Sequence, residues 1–118
     1  MTTNPTNQNC SVEIIRYTLP EEQQVAFENA YTEAGHILRD SPYCLGYELI
    51  KGVEEPHNYL LTIYWTSVHD HLNGFRKSAA FGAFFNLVKP FYAQIQEMKH
   101  YEKTKLFWQK ESSYPLLK

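Results

Sequence analysis

LLTIYWTSVHDHLNGFRKSAAFGAFF, residues 60–85, changes its periodicity once, at Thr66-Ser67, and its two halves demand different secondary structures. The first half, Leu60 to Trp65, is apolar, β-rich and too short for a helix, so it reads as a buried strand. In the second half, Ser67 followed three residues later by Asp70 has the spacing of a helix N-cap with an acid in the first turn, where orphan amides and the helix dipole favour it. Beyond that cap Val68, His71, Leu72 and Phe75 recur at i, i+3, i+4 and i+7, an apolar stripe that carries one histidine toward the core. Gly74 and Arg76-Lys77-Ser78 mark a break, after which Phe81, Phe84, Phe85 and Val88 resume a helical stripe that ends at Pro90.

The flanks follow from the same rules. Ser11 to Leu19 is a β-branched and aromatic run with Arg16 inside it, a first strand ended by Pro20. Glu21 and Glu22 open a helix in which Gln24, Phe27, Tyr31, Ala34 and Leu38 form one face, running to Asp40 before Ser41-Pro42 breaks it. Tyr47 to Val53 reads as a second strand, joined through Glu54-Glu55-Pro56-His57 to the Leu60–Trp65 strand as an antiparallel hairpin. Gln94 to Glu102 alternates as a fourth strand, with Gln96, Met98 and His100 on one face and Ile95, Glu97, Lys99 and Tyr101 on the other.

The order is thus β-α-β-β-α-β, the ferredoxin-like split βαβ of the α+β class, an antiparallel sheet with both helices on one face. Its strands are apolar on both sides, so the uncovered face calls for a second copy, and a homodimer is expected. Residues 1–10, polar throughout, are expected to be a disordered arm, residues 11–103 the domain, and residues 104–118 an extension that docks Leu106, Phe107 and Trp108 on this chain or its partner.

Composition limits the partners. The 118 residues make one domain, and eleven basic against thirteen acidic side chains leave a formal charge of −2, with no basic footprint for nucleic acid or an anionic membrane. Two cysteines are too few for a disulfide framework, and no signal-peptide pattern opens the chain, so a reducing, cytoplasmic setting is expected. No Gly-rich phosphate loop, G-x-S-x-G elbow or C-x-x-C pair is present. His69 and His71 are two apart, on different sides of a helix, so they do not chelate one ion, and no metal is expected.

The ordered set IIRYTLP, AF-x-x-AY, CLGYEL, YLLTIYWTSVHDH, FRKSAAF and KPFYAQIQEMKHYE, spanning Val12 to Glu102, resembles the antibiotic biosynthesis monooxygenase domain family. The resemblance implies a dimeric α+β barrel and oxygenation, often without metal or flavin, of an electron-rich aromatic such as a quinol or anthrol held between sheet and helices. Haem-degrading relatives carry an asparagine on the first strand and a tryptophan and histidine after the third. The matching positions here hold Arg16 or a neighbour, Gly74 or Phe75, and about Phe85, which disfavours haem degradation.

The candidate residues follow from that expectation. His71 or His100 would take the proton of a phenolic substrate, a histidine with the ordinary pKa of about 6.5 being a neutral base at pH 7. Arg16 or Tyr17 would steady the oxyanion, and Trp65, Phe75, Phe81 and Met98 would line an apolar pocket, with O2 as co-substrate and no cofactor. Each residue also has a plain reading: a satisfied core histidine, an edge charge, an ordinary aromatic core. The domain as a whole is then either an oxygenase or a non-catalytic small-molecule-binding or interaction module.

Overall fold

The computed structural model describes residues 10–110. Its elements are β1 (Ser11–Thr18), α1 (Glu21–Asp40), β2 (Cys44–Lys51), β3 (Asn58–Trp65), a helical segment over residues 68–77, α2 (Ala80–Val88), a 3-10 turn (Lys89–Gln94) and β4 (Ile95–Glu102). The four strands form one antiparallel sheet in the order β2-β3-β1-β4. The ferredoxin-like reading therefore holds. The second strand begins at Cys44 and ends at Lys51, earlier at both ends than the expected Tyr47–Val53.

One face of the sheet carries the core. Ile15, Tyr17, Tyr59, Leu61, Ile63 and Trp65 point from the two central strands toward α1 and α2 and are buried. They meet Phe27, Tyr31, Ala34 and Leu38, the stripe read from α1, and Phe75, Phe84, Val88 and Phe91. Phe27 alone makes edge-on contacts with Tyr17, Tyr31, Tyr59 and Phe91, with ring centroids 4.6–5.3 Å apart, the geometry that ring quadrupoles favour. Among the described residues no helix covers the opposite face, where Val12, Ile14, Leu60, Thr62 and Tyr64 are half-buried.

The segment after β3 departs from a regular helix. Ser67 caps it as expected, its Oγ accepting from the Asp70 amide at 2.9 Å, while Asp70 takes a hydrogen bond from Thr66 Oγ1 at 2.6 Å instead of reaching back to Ser67. Asp70–Gly74 is then a π-helical turn, with the Phe75 amide directed at the Asp70 carbonyl five residues back. That wider turn rotates the expected stripe: His71 and Phe75 stay buried, but Val68 and Leu72 are 41% and 37% exposed. Turns of this kind recur at functional positions. Glycine at 74 lets the Tyr43 ring lie against the turn, because a Cβ there would meet that ring at 2.8 Å.

A second departure is a β-bulge. Arg16 pairs with Glu97 but Tyr17 pairs with Ile95, so Gln96 is the extra residue on β4. The strict alternation expected for this strand put Ile95 opposite to Met98. The bulge turns both toward the helices.

The first nine residues of the expected arm, and residues 111–118 of the expected extension, lie outside the described residues; Cys10, the last of the arm, is buried. Leu106, Phe107 and Trp108 are exposed, and Lys103 Nζ sits between this stretch and the sheet, 4.7 Å from the Phe107 ring centre and 5.9 Å from that of Tyr64. Among the described residues no helix is long and apolar enough to cross a membrane.

Candidate active site

Between the helices and the sheet lies a cavity of about 80 Å³. Close-packed interiors rarely hold voids larger than a water molecule, so this space is not simply a filled core. Ile15, Ile63, Ile95 and Met98 form its sheet wall, and Phe75, Phe81, Phe84, Phe85 and Val88 its helix wall. The polar groups concentrate at one end: Glu13 from β1, and His71 and Arg76 from the 68–77 segment. A second polar station is the hydroxyl pair Tyr17–Tyr31, 3.1 Å apart. Burial pushes the Tyr17 phenol up to about 12 and raises Tyr31 as well, so both remain neutral hydrogen-bonding groups at any ordinary pH.

Trp65 organises the polar end. Its ring lies flat on the His71 imidazole, with centroids 4.2 Å apart and planes within 7°, and its indole N–H donates to Glu13 Oε1 at 2.9 Å. One side chain thereby fixes the plane of the histidine and the position of the acid. The imidazole then points two ways. Its Nε2 is 3.7 Å from Glu13 Oε1, too long for a hydrogen bond, while its Nδ1 is 2.8 Å from His100 Nε2 and shares a proton with it. His100 reaches this contact from β4, where it pairs directly across from Glu13.

The charges of this cluster are set by burial. His71, 3% exposed, is pushed down to about 3, first by burial and then by the positive Arg76 and by His100. The ordinary histidine pKa expected from sequence therefore does not apply to it. His100 is lowered for the same reasons, burial first and then Arg76. Burial raises Glu13, against the opposing pull of the Trp65 hydrogen bond and of Arg76. All of these directions favour the uncharged forms, leaving Arg76 as the fixed charge at the cavity end.

The expected residues are only partly brought together. Tyr17, Trp65, His71, Phe75, Phe81 and Met98 all line the cavity. His100 does not: it lines a separate groove on the surface with Cys10, Ser11, Ser67, Val68, Tyr101 and Glu102, and reaches the cavity only through His71. Arg16 sits on the opposite face of the sheet, with its Nε 3.6 Å from Glu97 Oε1, because strand alternation sends residue 16 away from Ile15 and Tyr17. The arginine at the cavity is Arg76. Glu13 was missed by the sequence reading, although the same alternation that points Ile15 and Tyr17 inward points Glu13 there too.

Glu13, His71 and His100 each offer one ligand atom, and these atoms lie within 4.8 Å of one another. A cation there would face Arg76, and His71 directs different nitrogens at its two partners. The set is thus better disposed to pass protons than to converge on one ion.

A model of the antibiotic biosynthesis monooxygenase family matches residues 11–87. The chain belongs to that family. It is 30% identical over 84 residues to the uncharacterised protein YczJ of Bacillus subtilis (strain 168), covering 71% of this chain and 88% of the relative. Among solved structures, a Bordetella bronchiseptica protein assigned to the antibiotic biosynthesis monooxygenases superposes with a TM-score of 0.68 at 25% identity, covering 82% of this chain and 99% of that one. SnoaB of Streptomyces nogalater, a cofactor-independent oxygenase, superposes with a TM-score of 0.62 at 12% identity over 88% of this chain and 98% of its own. At that identity the likeness is one of fold.

Proposed function

We propose that the protein is a cofactor-independent monooxygenase acting on a small phenolic or quinol substrate bound in the cavity beneath α2. The observation that carries this reading is a neutral buried histidine and a fixed arginine gathered at one end of a mostly aromatic and aliphatic cavity. Apolar pockets with a few convergent polar groups are the usual form of small-molecule sites, and at about 80 Å³ this one has to widen to take a single ring. Family membership and the fold shared with a cofactor-independent oxygenase support it.

In this scheme the substrate hydroxyl lies toward His71 and its ring between Trp65, Phe75 and Phe81. His71 takes the hydroxyl proton, and Arg76 rather than Arg16 steadies the phenolate. The phenolate is a far better electron donor to O2 than the phenol. For a simple phenol the net change is phenol plus O2 to quinone plus water. The ring carbon opposite the hydroxyl exchanges its hydrogen for one oxygen atom, and the other oxygen leaves as water with that hydrogen and the hydroxyl proton.

Two chains pair in the working protein through the uncovered sheet face, where Val12, Ile14, Leu60 and Tyr64 are only half-buried, and the Leu106–Trp108 stretch reaches toward the second copy. The chemistry is tested by oxygen uptake of metal-free, flavin-free protein with a panel of phenols, quinols and anthrols. Uptake should fall about 10²–10⁴-fold in His71→Ala, the usual contribution of a positioned base, and fall also in Arg76→Gln. Wild-type protein that binds such compounds without consuming oxygen would instead be a binding module.

A further inference from the structure

A histidine held neutral this firmly is a poor lone base, since accepting a proton would leave a cation buried beside Arg76. The geometry removes the difficulty. The two ring nitrogens of His71 face different compartments: Nε2 toward Glu13 and the cavity, Nδ1 toward His100 and the surface groove. We propose that His71 and His100 form a proton relay joining the cavity to that groove, with His71 as a two-state tautomeric switch, His100 as the exit and Glu13 as the neighbouring acid that biases the tautomer. This inference rests on the oxygenase reading for its purpose but not for its existence.

The relay balances without any net charge on His71. In the resting form its Nδ1–H donates to His100 Nε2 and its Nε2 lone pair faces the cavity. The substrate O–H bond breaks as the Nε2–H bond forms. The Nδ1–H bond breaks as the proton passes to His100 Nε2, and His100 gives up its Nδ1 proton to water in the groove. His71 ends neutral in its other tautomer, and the proton leaves without crossing the apolar walls. Return of the proton when water forms restores the first tautomer.

Three observations fit this role. The flat stack of Trp65 on His71 prevents the ring from tipping out of the line between its partners. Trp65 also holds Glu13 Oε1 by its N–H, so the acid stands 3.7 Å from Nε2, where it acts on the balance between the tautomers without exchanging a proton directly. At the exit Ser11, 6% exposed, has a hydroxyl with no hydrogen-bond partner among the described residues and lines the same groove as His100. A buried hydroxyl in that state calls for water. The titratable or charged groups facing His71 are Glu13 from β1, His100 from β4 and Arg76 from its own segment. Tyr17 and Tyr31 lie further along the cavity and stay neutral.

Nitrogen-15 NMR of histidine-labelled protein reads tautomer and charge without any substrate. As the pH is lowered through the titration of His100, below 6.5, protonated His100 can only donate to His71 Nδ1. The relay therefore requires His71 to move its proton from Nδ1 to Nε2 while remaining neutral. In His100→Gln, a change on a half-exposed strand residue, that pH-driven exchange should disappear. In Glu13→Gln, whose amide oxygen can still accept from Trp65, the balance between the tautomers should shift. A His71 that keeps one tautomer throughout, or that becomes charged together with His100, overturns the relay. So does stoichiometric binding of Zn²⁺ that engages both histidines and is lost in Glu13→Gln, which would make the cluster a metal centre. An intact exchange with no oxygen uptake on any phenol would refute the oxygenase reading alone, and uptake without the exchange would refute the relay alone.

Discussion

Acid should unfold this protein through His71, and His71→Gln isolates the effect. The unfolded chain carries that histidine with a pKa of about 6.5, and the fold depresses it to about 3. Between those values the unfolded state binds more protons than the folded one, so stability rises with pH across the window and is lost as pH falls. Integrated from pH 7 to pH 4, the linkage amounts to about 3 kcal/mol, with about 2 of it already lost by pH 5. The side chain is 4% exposed, so solvent screening reduces this little. Glu13 acts with the opposite sign, because a carboxyl raised by burial favours the folded state as the pH drops through its own window. Glu13 is present in both proteins, so it largely cancels in the difference. Urea unfolding of wild type and His71→Gln at pH 7, 5.5 and 4 gives that difference directly, provided the slopes agree. The variant should be less stable at pH 7, having lost the stack on Trp65 and the bond to His100, and the gap should close by about 3 kcal/mol toward pH 4. A gap that stays constant with pH would refute a histidine buried in its neutral form, and with it the electrostatic reading of the cavity.

Three further outcomes are expected. Ser67→Ala removes the acceptor of the Asp70 amide and should cost about 0.5–2 kcal/mol of stability, measured by denaturant melts; no loss would mean that the cap is redundant with the Thr66–Asp70 bond. Gly74→Ala gains about 1 kcal/mol of helix propensity, but its Cβ meets the Tyr43 ring at 2.8 Å and such overpacking costs about 1–3 kcal/mol, so a net loss is expected and a net gain would show the ring to be free to move. Light scattering should report a dimer at micromolar concentration and a weakened one for Leu60→Lys, on the uncovered sheet face; a wild-type monomer would remove the pairing proposed for that face.

The fold was legible because its signals are local. Pro20 and Ser41-Pro42 bracket α1, the Gln24-Phe27-Tyr31-Ala34-Leu38 stripe matches its buried face, and Ser67 caps the segment that follows β3. The site was legible only where periodicity survives. His71 and Phe75 are four apart and stay inward whether the turn between them is α or π, whereas Val68 and Leu72 depended on a regular 3.6-residue period and turned outward. His100 was placed on the same strand face as Met98, and the pairing of these residues with Glu13 and Ile15 bears that out. What strand alternation cannot convey is where a cavity ends, so His100 stands beyond it. Arg16 and Glu13 show the cost of reading a strand as a run of apolar residues instead of as two faces: the exposed charge was singled out and the buried one passed over.

The bulge shapes the sheet wall of the site. Without the bulge, the register that sets His100 against Glu13 and Met98 against Ile15 would set Gln96 against Tyr17, placing an amide on the sheet wall of the cavity. With the bulge, Ile95 takes that place and the β4 wall remains apolar. On the helix side His71 and Phe75 both lie against Trp65, at centroid distances of 4.2 and 5.1 Å. The acid, the imidazole and the guanidinium thus gather at one end, with the tyrosine pair as a second, neutral station. A phenolate formed there has Arg76, an exposed side chain at the cavity, as its fixed counter-charge. A proton released at the same place has no apolar route out. The hydrogen bond from His71 to His100 offers it a polar path, and for that reason the tautomer of a single stacked imidazole, rather than its charge, is the quantity on which the proposed chemistry turns.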